Sequence, residues 1–443
     1  MITDDLKGSN NWIITAFCAL GYGLSYSLIM SLNVYTEPFV EFYRISYKEA
    51  SLVPCISFAF MCATPIATVI LQRFGFRWPV MLSAVVASTV TFCCCYVTSF
   101  PILIFLLGAV LGFSFCIVAT ASLIAPGCIF GEAHRHIAVA IVCAGNGIGL
   151  IIMPMFLEFI IELYGFRGSF WILSGVTLNL AAVGAIMPSY LPPDRRQRLD
   201  KRACWVQGAH FEVFQMPVFW ALALSCIIVG NAITVMNSFN LSILNNKYGI
   251  EPSKGALIMA AGGAMSILGR LSVSFVRKSC RFPRWWIWSL SNITMGLGLV
   301  IYGLMTVLPS AVFCQCIYGF CTGQSVTIHV VVVMDLFSQQ QFPIALSYMY
   351  LVGVIGIASA PVAGWLRDTT ESFTIPLLIA GGLQIAAHSI PVSYYIATQC
   401  IEAFGTQHKG LQVFRRCGQK PDIVSEKYTN KTSTQENPKF VTT

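Results

Sequence analysis

Arg270 stands in Ile267-Leu268-Gly269-Arg270-Leu271, within a run of apolar and small residues long enough to cross a bilayer. A guanidinium at the centre of a membrane helix costs about 2.5–3.5 kcal/mol on insertion scales, so a wet cavity or a partner is expected beside it. Its planar fork can take a carboxylate through two hydrogen bonds, which suits an organic anion as ligand. A structural ion pair with Asp335, near the end of a later apolar run, is the competing account. Other titratable groups at such depth are His329 and His388, and a single membrane histidine more often satisfies a hydrogen bond than relays a proton. Neutral polar groups are more numerous. The first apolar run carries Tyr22, Ser25, Tyr26, Ser27, Ser31 and Asn33, and the seventh carries Asn231, Thr234, Asn237 and Asn240. Such groups are costly in lipid unless paired or wetted, so they line a pathway or bond one helix to another. No nucleophile with a base, phosphate-binding loop, haem ligand pair or metal-ligand spacing is found, so neither an enzyme nor a cofactor is expected. The 17 cysteines, including the run Cys93-Cys94-Cys95, show no CxxC pair and read as small apolar packers.

The elements that must position these groups are membrane helices. Apolar residues make up 56% of the 443 and charged residues only 10%, with a mean hydropathy of +0.71. Soluble domains carry about 25% charged residues, so water is not the main solvent here. Crossing about 30 Å of hydrocarbon takes about 20 apolar residues. Such windows recur near 12–36, 51–72, 78–98, 101–125, 137–160 and 168–190, then near 217–243, 253–276, 284–306, 309–334, 342–366 and 373–398. Between the two sets lies Pro192-Pro193-Asp194-Arg195-Arg196-Gln197-Arg198-Leu199-Asp200-Lys201-Arg202, the densest charge run in the chain. The expected organisation is a tail over 1–11, a six-helix half over 12–190, a basic linker over 191–216, a second six-helix half over 217–398 and a disordered polar tail over 399–443. The first window follows Asp4 and Asp5 and lacks a small-residue cleavage site, so no cleaved signal peptide is expected.

Lys and Arg are retained on the cytoplasmic side of membrane proteins. With both termini inside, 20 of the 27 fall on the cytoplasmic side, six fall outside, and Arg270 lies within a window. The formal net charge of +8 therefore belongs to loops and tails. Nucleic-acid binding, which needs a basic face on a soluble fold, is not expected.

Arg73-Phe74-Gly75-Phe76-Arg77 joins the second and third windows. The glycine permits a tight reversal, and the arginines can hold carbonyls at a helix end or carboxylates on a neighbouring helix, latching one gate state. The segment resembles the loop signature of the major facilitator superfamily, with Gln72 where an Asp is usual. Phe130 to Gly149 is similar to the fifth-span motif of the monocarboxylate transporter family, through Arg135, Ala138, Ala140, Ala144, Gly145 and Gly149. Small residues at helical spacing make a groove into which another backbone can pack. Further matches follow in family order. They are Tyr164-Gly165-Phe166-Arg167-Gly168, Leu178-Asn179-Leu180, Tyr318-Gly319-Phe320, Met334-Asp335-Leu336 and the stretch from Ala360 to Asp368. The opening signature survives only as Gly8, Ser9 and Trp12, with Lys7 reversing a charge and Asn10 replacing an aromatic ring. The resemblance covers roughly residues 7–398 and marks a divergent member.

The resemblance implies an all-α major facilitator fold, with twelve transmembrane helices in two six-helix halves that rock around a site near the midplane. It implies a secondary transporter that moves a monocarboxylate or related small organic solute by alternating access. The plasma membrane, with both termini cytoplasmic, is the expected setting, and there is room for a single-span accessory protein. In proton-coupled members an Asp stands one turn before the arginine and a Lys stands in the first span; here those positions are Ser266 and Met30, and Val331 replaces a Glu of some members. A serine and a thioether neither carry a proton nor draw an anion at physiological pH. These replacements weaken the expectation of proton coupling, and uniport, or cotransport of an ion held by carbonyls and hydroxyls, is compatible with this inventory. The expected substrate site is Arg270 with Tyr26, Met30, Ser266 and Asn237. The expected gating residues are Asp335, Arg73, Arg77 and Arg135, with Asp335 competing for Arg270 between states. A membrane receptor or regulator that keeps the fold without turnover is the alternative, and saturable flux separates the two.

Overall fold

The computed structural model describes residues 2–45, 47–50, 52–131, 134–189, 211–250, 252–276, 284–337, 341–357 and 359–403. By contacts, Met1–Ser393 is one unit and Tyr394–Thr443 another. Most of the expected linker, 191–216, and most of the polar tail after 398 lie outside the described residues.

Lipid offers no partner for backbone N–H and C=O groups, so each apolar window closes its own hydrogen bonds as a helix. In the first half these are α1 (Ile2–Ser31), α2 in two pieces (Leu52–Met61 and Thr64–Phe74) and α3 (Arg77–Cys94), then α4 (Phe100–Leu103 with Ile104–Leu111 and Gly112–Ile129). Arg135–Leu178 follows as continuous helix except at Gly165, where φ is 69° and ψ is 175°. A straight helix of that length would measure about 66 Å, twice the hydrocarbon thickness, so Gly165 divides it into α5 (135–164) and α6 (166–186). The second half comprises α7 (Pro217–Tyr248), α8 (Pro252–Ser272), α9 (Arg284–Leu304), α10 (Leu308–Leu336), α11 in two pieces (Phe342–Ile357 and Ala360–Thr370) and α12 (Thr374–Ala403). Among the described residues, each of the twelve windows is thus mainly helical. By length and composition alone, eight of the described helices can cross a membrane, or nine with the pieces of α2 taken as one span.

The irregularities have local causes. The pieces of α2 meet at 44°, just before Pro65, whose ring removes one backbone donor. The second piece of α11 likewise starts with a proline in its first turn. Within α4, Ile104–Leu111 winds as a π-helix, and Ser57 Oγ of α2 donates to Leu107 O at 2.9 Å in the middle of that turn. A side chain reaching into the backbone ladder in this way accompanies such a widening.

Small residues set which helices touch. A Cβ on Gly23 would fall 2.6 Å from Gly145 O, and one on Gly149 would fall 2.7 Å from Gly23 O, so α1 and α5 cross backbone to backbone. The second half repeats the contact between α7 and α11, where Gly356 lies against Ile227 O and Gly230 faces Gly353 O. Gly112 against Ser57 O joins α4 to α2, and Gly319 and Gly323 against Gly262 O and Ser266 O join α10 to α8. Gly184 against Met81 joins α6 to α3, and Gly296 against Gly381 joins α9 to α12. Three pairings therefore recur with an offset of six helices, which is the two-half arrangement read from the apolar windows. The small residues of the fifth-span motif serve this packing.

Candidate functional site

α8 brings Arg270 to the seam between the halves, where it is 4% exposed. Its Nη1 donates to Cys143 O of α5 at 2.9 Å, and its Nε lies 3.5 Å from Ser266 Oγ one turn back on α8. The seat for the side chain is Gly147. A Cβ there would stand 3.3 Å from Arg270 Cδ and Nε and 3.0 Å from Ile267, so any larger residue would push against the guanidinium stem. Tyr22 and Tyr26 of α1 lie within electrostatic reach of Arg270, and Tyr350 of α11 lies within reach of both tyrosines. The rings of Tyr22 and Tyr26 are 5.8 Å apart, and Tyr26 meets Phe58 of α2 edge-on at 6.4 Å. The cationic fork thus has two phenols of the first half within electrostatic reach, with Tyr350 of the second half near those two rings.

Several buried polar side-chain atoms have no hydrogen-bond partner among the described residues. They include Asn146 Oδ1 on α5, Asn231 Oδ1 on α7, Gln315 Oε1 on α10 and the Tyr350 hydroxyl. Leaving such an atom unbonded costs about 1–3 kcal/mol, which favours water or a polar solute against it.

Of the expected substrate residues, Arg270, Ser266 and Tyr26 are brought together. Met30 is half-buried one turn beyond Tyr26 and packs against the apolar core. Asn237 is exposed, farther along α7 than Asn231.

Asp335 does not pair with Arg270 here. Its Oδ1 accepts from Arg135 Nη2 at 3.0 Å and its Oδ2 from Arg284 Nη1 at 2.8 Å. Helix register is the reason. Gly269 packs on Phe320 and Ser272 Oγ accepts from Gln324 Nε2, so Arg270 is level with that part of α10. Asp335 lies eleven residues beyond Gln324, about 16 Å along the helix at 1.5 Å per residue. Asp335 is therefore a partner of the helix-end arginines, and its expected contest with Arg270 is replaced by one between Arg135 and Arg284.

Arg135 Nη2 also donates to Met334 O at 3.3 Å, tying α5 to the end of α10. On the other side of the seam, Thr64 Oγ1 of α2 donates to Ser347 O of α11 at 2.8 Å. The Thr68 and Ser347 hydroxyls also bond each other, and Ser347 Oγ donates onward to Pro343 O at 2.6 Å. Gly127 leaves room for Met334 and Phe342 between these two sets. All of these contacts between halves lie between the level of Arg270 and the end of the bundle that carries Arg77, Arg135 and Arg284, called here the basic end. At the opposite end, Asn33, Thr36, Glu37, Glu158 and Glu162 line part of a cavity of about 580 Å³ beside α1 and α5.

Among the described residues, the contacts of Arg73 and Arg77 stay inside the first half. Arg77 Nε donates to Met187 O, just past α6, at 3.2 Å, whereas Arg73 lies over the Phe74 ring. Gly75 makes the reversal at φ 80°, and a Cβ there would strike Ser189 O. Both histidines are satisfied within the second half. His388 Nδ1 bonds Gln384 O at 2.9 Å, which assigns the proton to that nitrogen, and Nε2 accepts from Ser225 Oγ at 2.6 Å. His329 Nε2 lies 3.3 Å from Cys226 Sγ, and the Trp288 ring separates the two imidazoles.

Comparison with known proteins bears on what this geometry serves. Residues 12–361 match the family model described as Major Facilitator Superfamily. Monocarboxylate transporter 12 of Mus musculus is 24% identical over 412 residues, covering 84% of this chain and 83% of that one. Monocarboxylate transporter 11 of Homo sapiens is 24% identical over 395 residues, covering 86% and 82%. Among solved structures, the E. coli fucose:proton symporter FucP superposes with a TM-score of 0.67 at 12% identity, over 85% of this chain and 97% of that one. The human organic anion transporter MFSD10 does so with a TM-score of 0.67 at 12% identity, over 86% and 98%. These relatives are membrane transporters and not enzymes. With its repeated helix pairings and a family match across most of its length, the chain belongs to the major facilitator superfamily of secondary transporters, as a divergent relative of the monocarboxylate transporters.

Proposed function

We propose that this integral membrane protein carries a small organic anion, a monocarboxylate or related solute, by alternating access, with Arg270 as the anion contact. The observation that carries the proposal is the placement of Arg270: a buried guanidinium at the seam whose only acceptors among the described residues are one backbone carbonyl of the opposite half and, at 3.5 Å, the Ser266 hydroxyl of its own helix. A substrate carboxylate is a stronger acceptor than Cys143 O and offers two oxygens to the same fork. Tyr22, Tyr26, Tyr350 and Ser266 would then orient the remainder of the solute. Met30 in place of a lysine, and the surplus of neutral donors, favour a solute larger or less acidic than lactate.

In this proposal the basic end is the cytoplasmic end, both termini lie there, and the protein resides in the plasma membrane. The contacts of Arg135, Asp335, Thr64, Thr68 and Ser347 then close the cytoplasmic side, and the structure corresponds to a form open or occluded toward the outside. Arg77 serves the same closure indirectly, by fixing the α2–α3 turn against the end of α6, while Arg73 packs over Phe74 within that turn.

Uptake of a panel of labelled carboxylates and amino acids by proteoliposomes, with and without a pH gradient, tests the proposal. Saturable uptake that Arg270→Gln abolishes and a pH gradient does not drive is expected. Lactate uptake lost in Arg270→Ala would refute the preference for a larger solute. Absence of saturable flux for every carboxylate and amino acid would leave a receptor or regulator that retains a transporter fold.

A further inference from the structure

Asp335 ends α10 between two guanidiniums that belong to different halves. Arg284 reaches Oδ2 from the start of α9, which is bolted to α10 by Ser291 Oγ on Cys321 O at 3.1 Å and by Ser325 Oγ on Asn292 Oδ1 at 2.8 Å. Arg135 reaches Oδ1 from α5, across the seam. Side-chain exposures of 9% for Arg284, 11% for Arg135 and 27% for Asp335 make the cluster partly buried, where charges are screened less than on an open surface.

Two cations on one carboxylate also repel each other. That repulsion exists only while the basic end is closed, because parting of the halves removes Arg135 and leaves Arg284 on Asp335. Arg284 thus acts on the two states with opposite sign. In the closed state it opposes Arg135; in the open state it spares Asp335 the cost of standing partly buried without a counter-charge.

We propose that Arg284 is a positioning residue that promotes opening of the basic end, so that its neutralisation favours the closed form while neutralisation of Arg135 favours the open form. The inference rests on the alternating-access reading. It assigns different roles to two arginines that would otherwise count as two halves of one lock.

The test reads the open-to-closed ratio of the full chain in nanodiscs from the distance between spin labels. The labels replace Phe74 and Phe275, which are exposed near the basic end on opposite halves. Other reactive cysteines are removed, and Thr68→Ala loosens the closed form so that both states are populated. Arg135→Gln and Asp335→Asn are expected to raise the open fraction. Arg284→Gln is expected to lower the open-to-closed ratio by about two- to fivefold, the scale of a partly exposed ion pair, and Arg284→Lys to leave it unchanged. If Arg284→Gln does not accumulate, Arg284→Met keeps the stem and carries the same expectation. A rise or no change in the open fraction on neutralising Arg284, with Arg135→Gln still opening the end, overturns the inference alone. A distribution that no variant moves, Asp335→Asn included, overturns the alternating-access reading beneath it.

Discussion

At the seam the second half supplies the buried cation Arg270, whereas the first half meets it with the Cys143 carbonyl, the Gly147 seat and the phenols of Tyr22 and Tyr26. The two halves share their helix pairings, so the difference is not one of packing. The lesson is that a common scaffold can divide the work of a binding seam, with charge on one side and a surface shaped to receive it on the other. At the basic end the traffic runs the other way, since Arg135 of the first half reaches the carboxylate of the second.

Arg270→Gln is the largest expected loss. Removing one member of a buried charge pair costs ~2–5 kcal/mol, which is a fall of about 30-fold or more in kcat/KM for the solute found by the flux panel. If Tyr26→Phe, on the receiving half, proves equally damaging, the division of roles between the halves fails. Gly147→Val comes next, because its new methyls enter the space of Ile267 and the Arg270 stem. Overpacking of that kind costs ~1–3 kcal/mol and should lower the melting temperature in detergent together with transport. A melting temperature left unchanged would show that the seat is loose.

Thr68→Ala should be milder. It deletes a hydroxyl contact worth ~0.5–1.5 kcal/mol and should raise the open-to-closed ratio of the basic end by about two- to tenfold in the spin-label experiment. The smallest effect is expected at Ser225→Ala, which frees His388 Nε2 inside the second half. Stability should fall by about 1 kcal/mol with the KM of the solute unchanged, and a raised KM would tie the histidine cluster to the site after all.

Much of the fold was legible because the bilayer leaves few choices: an apolar run of about 20 residues must be helical, and glycines spaced along Gly145 and Gly149 announce a backbone crossing. Gly75 was visible as a reversal for similar reasons, whereas the break at Gly165 shows only in its backbone angles. The site was legible in its charged member and opaque in its partners. Cys143 contributes its carbonyl oxygen, an atom that every residue has, so no side-chain type could point to it. Arg284 follows Arg277, Lys278 and Arg281, and a sequence does not say which of four neighbouring cations meets a carboxylate about fifty residues away. The distance between Asp335 and Arg270 was not legible, because both lie toward the same end of their helices and only the register of α8 on α10 separates them. Ser347 was one hydroxyl among many until α2 and α11 were seen to meet.

The bond from Arg270 to Cys143 O has a genetic consequence. A backbone oxygen survives any substitution, so drift at position 143 is silent for this contact as long as the side chain stays small enough to bury. Position 147 has no such protection, because a single-base change that gives its codon a side chain would act on the arginine from one residue type upward. Natural variants of this protein should therefore fall freely at 143 and be depleted at 147, a pattern that population sequencing can count without expressing the protein.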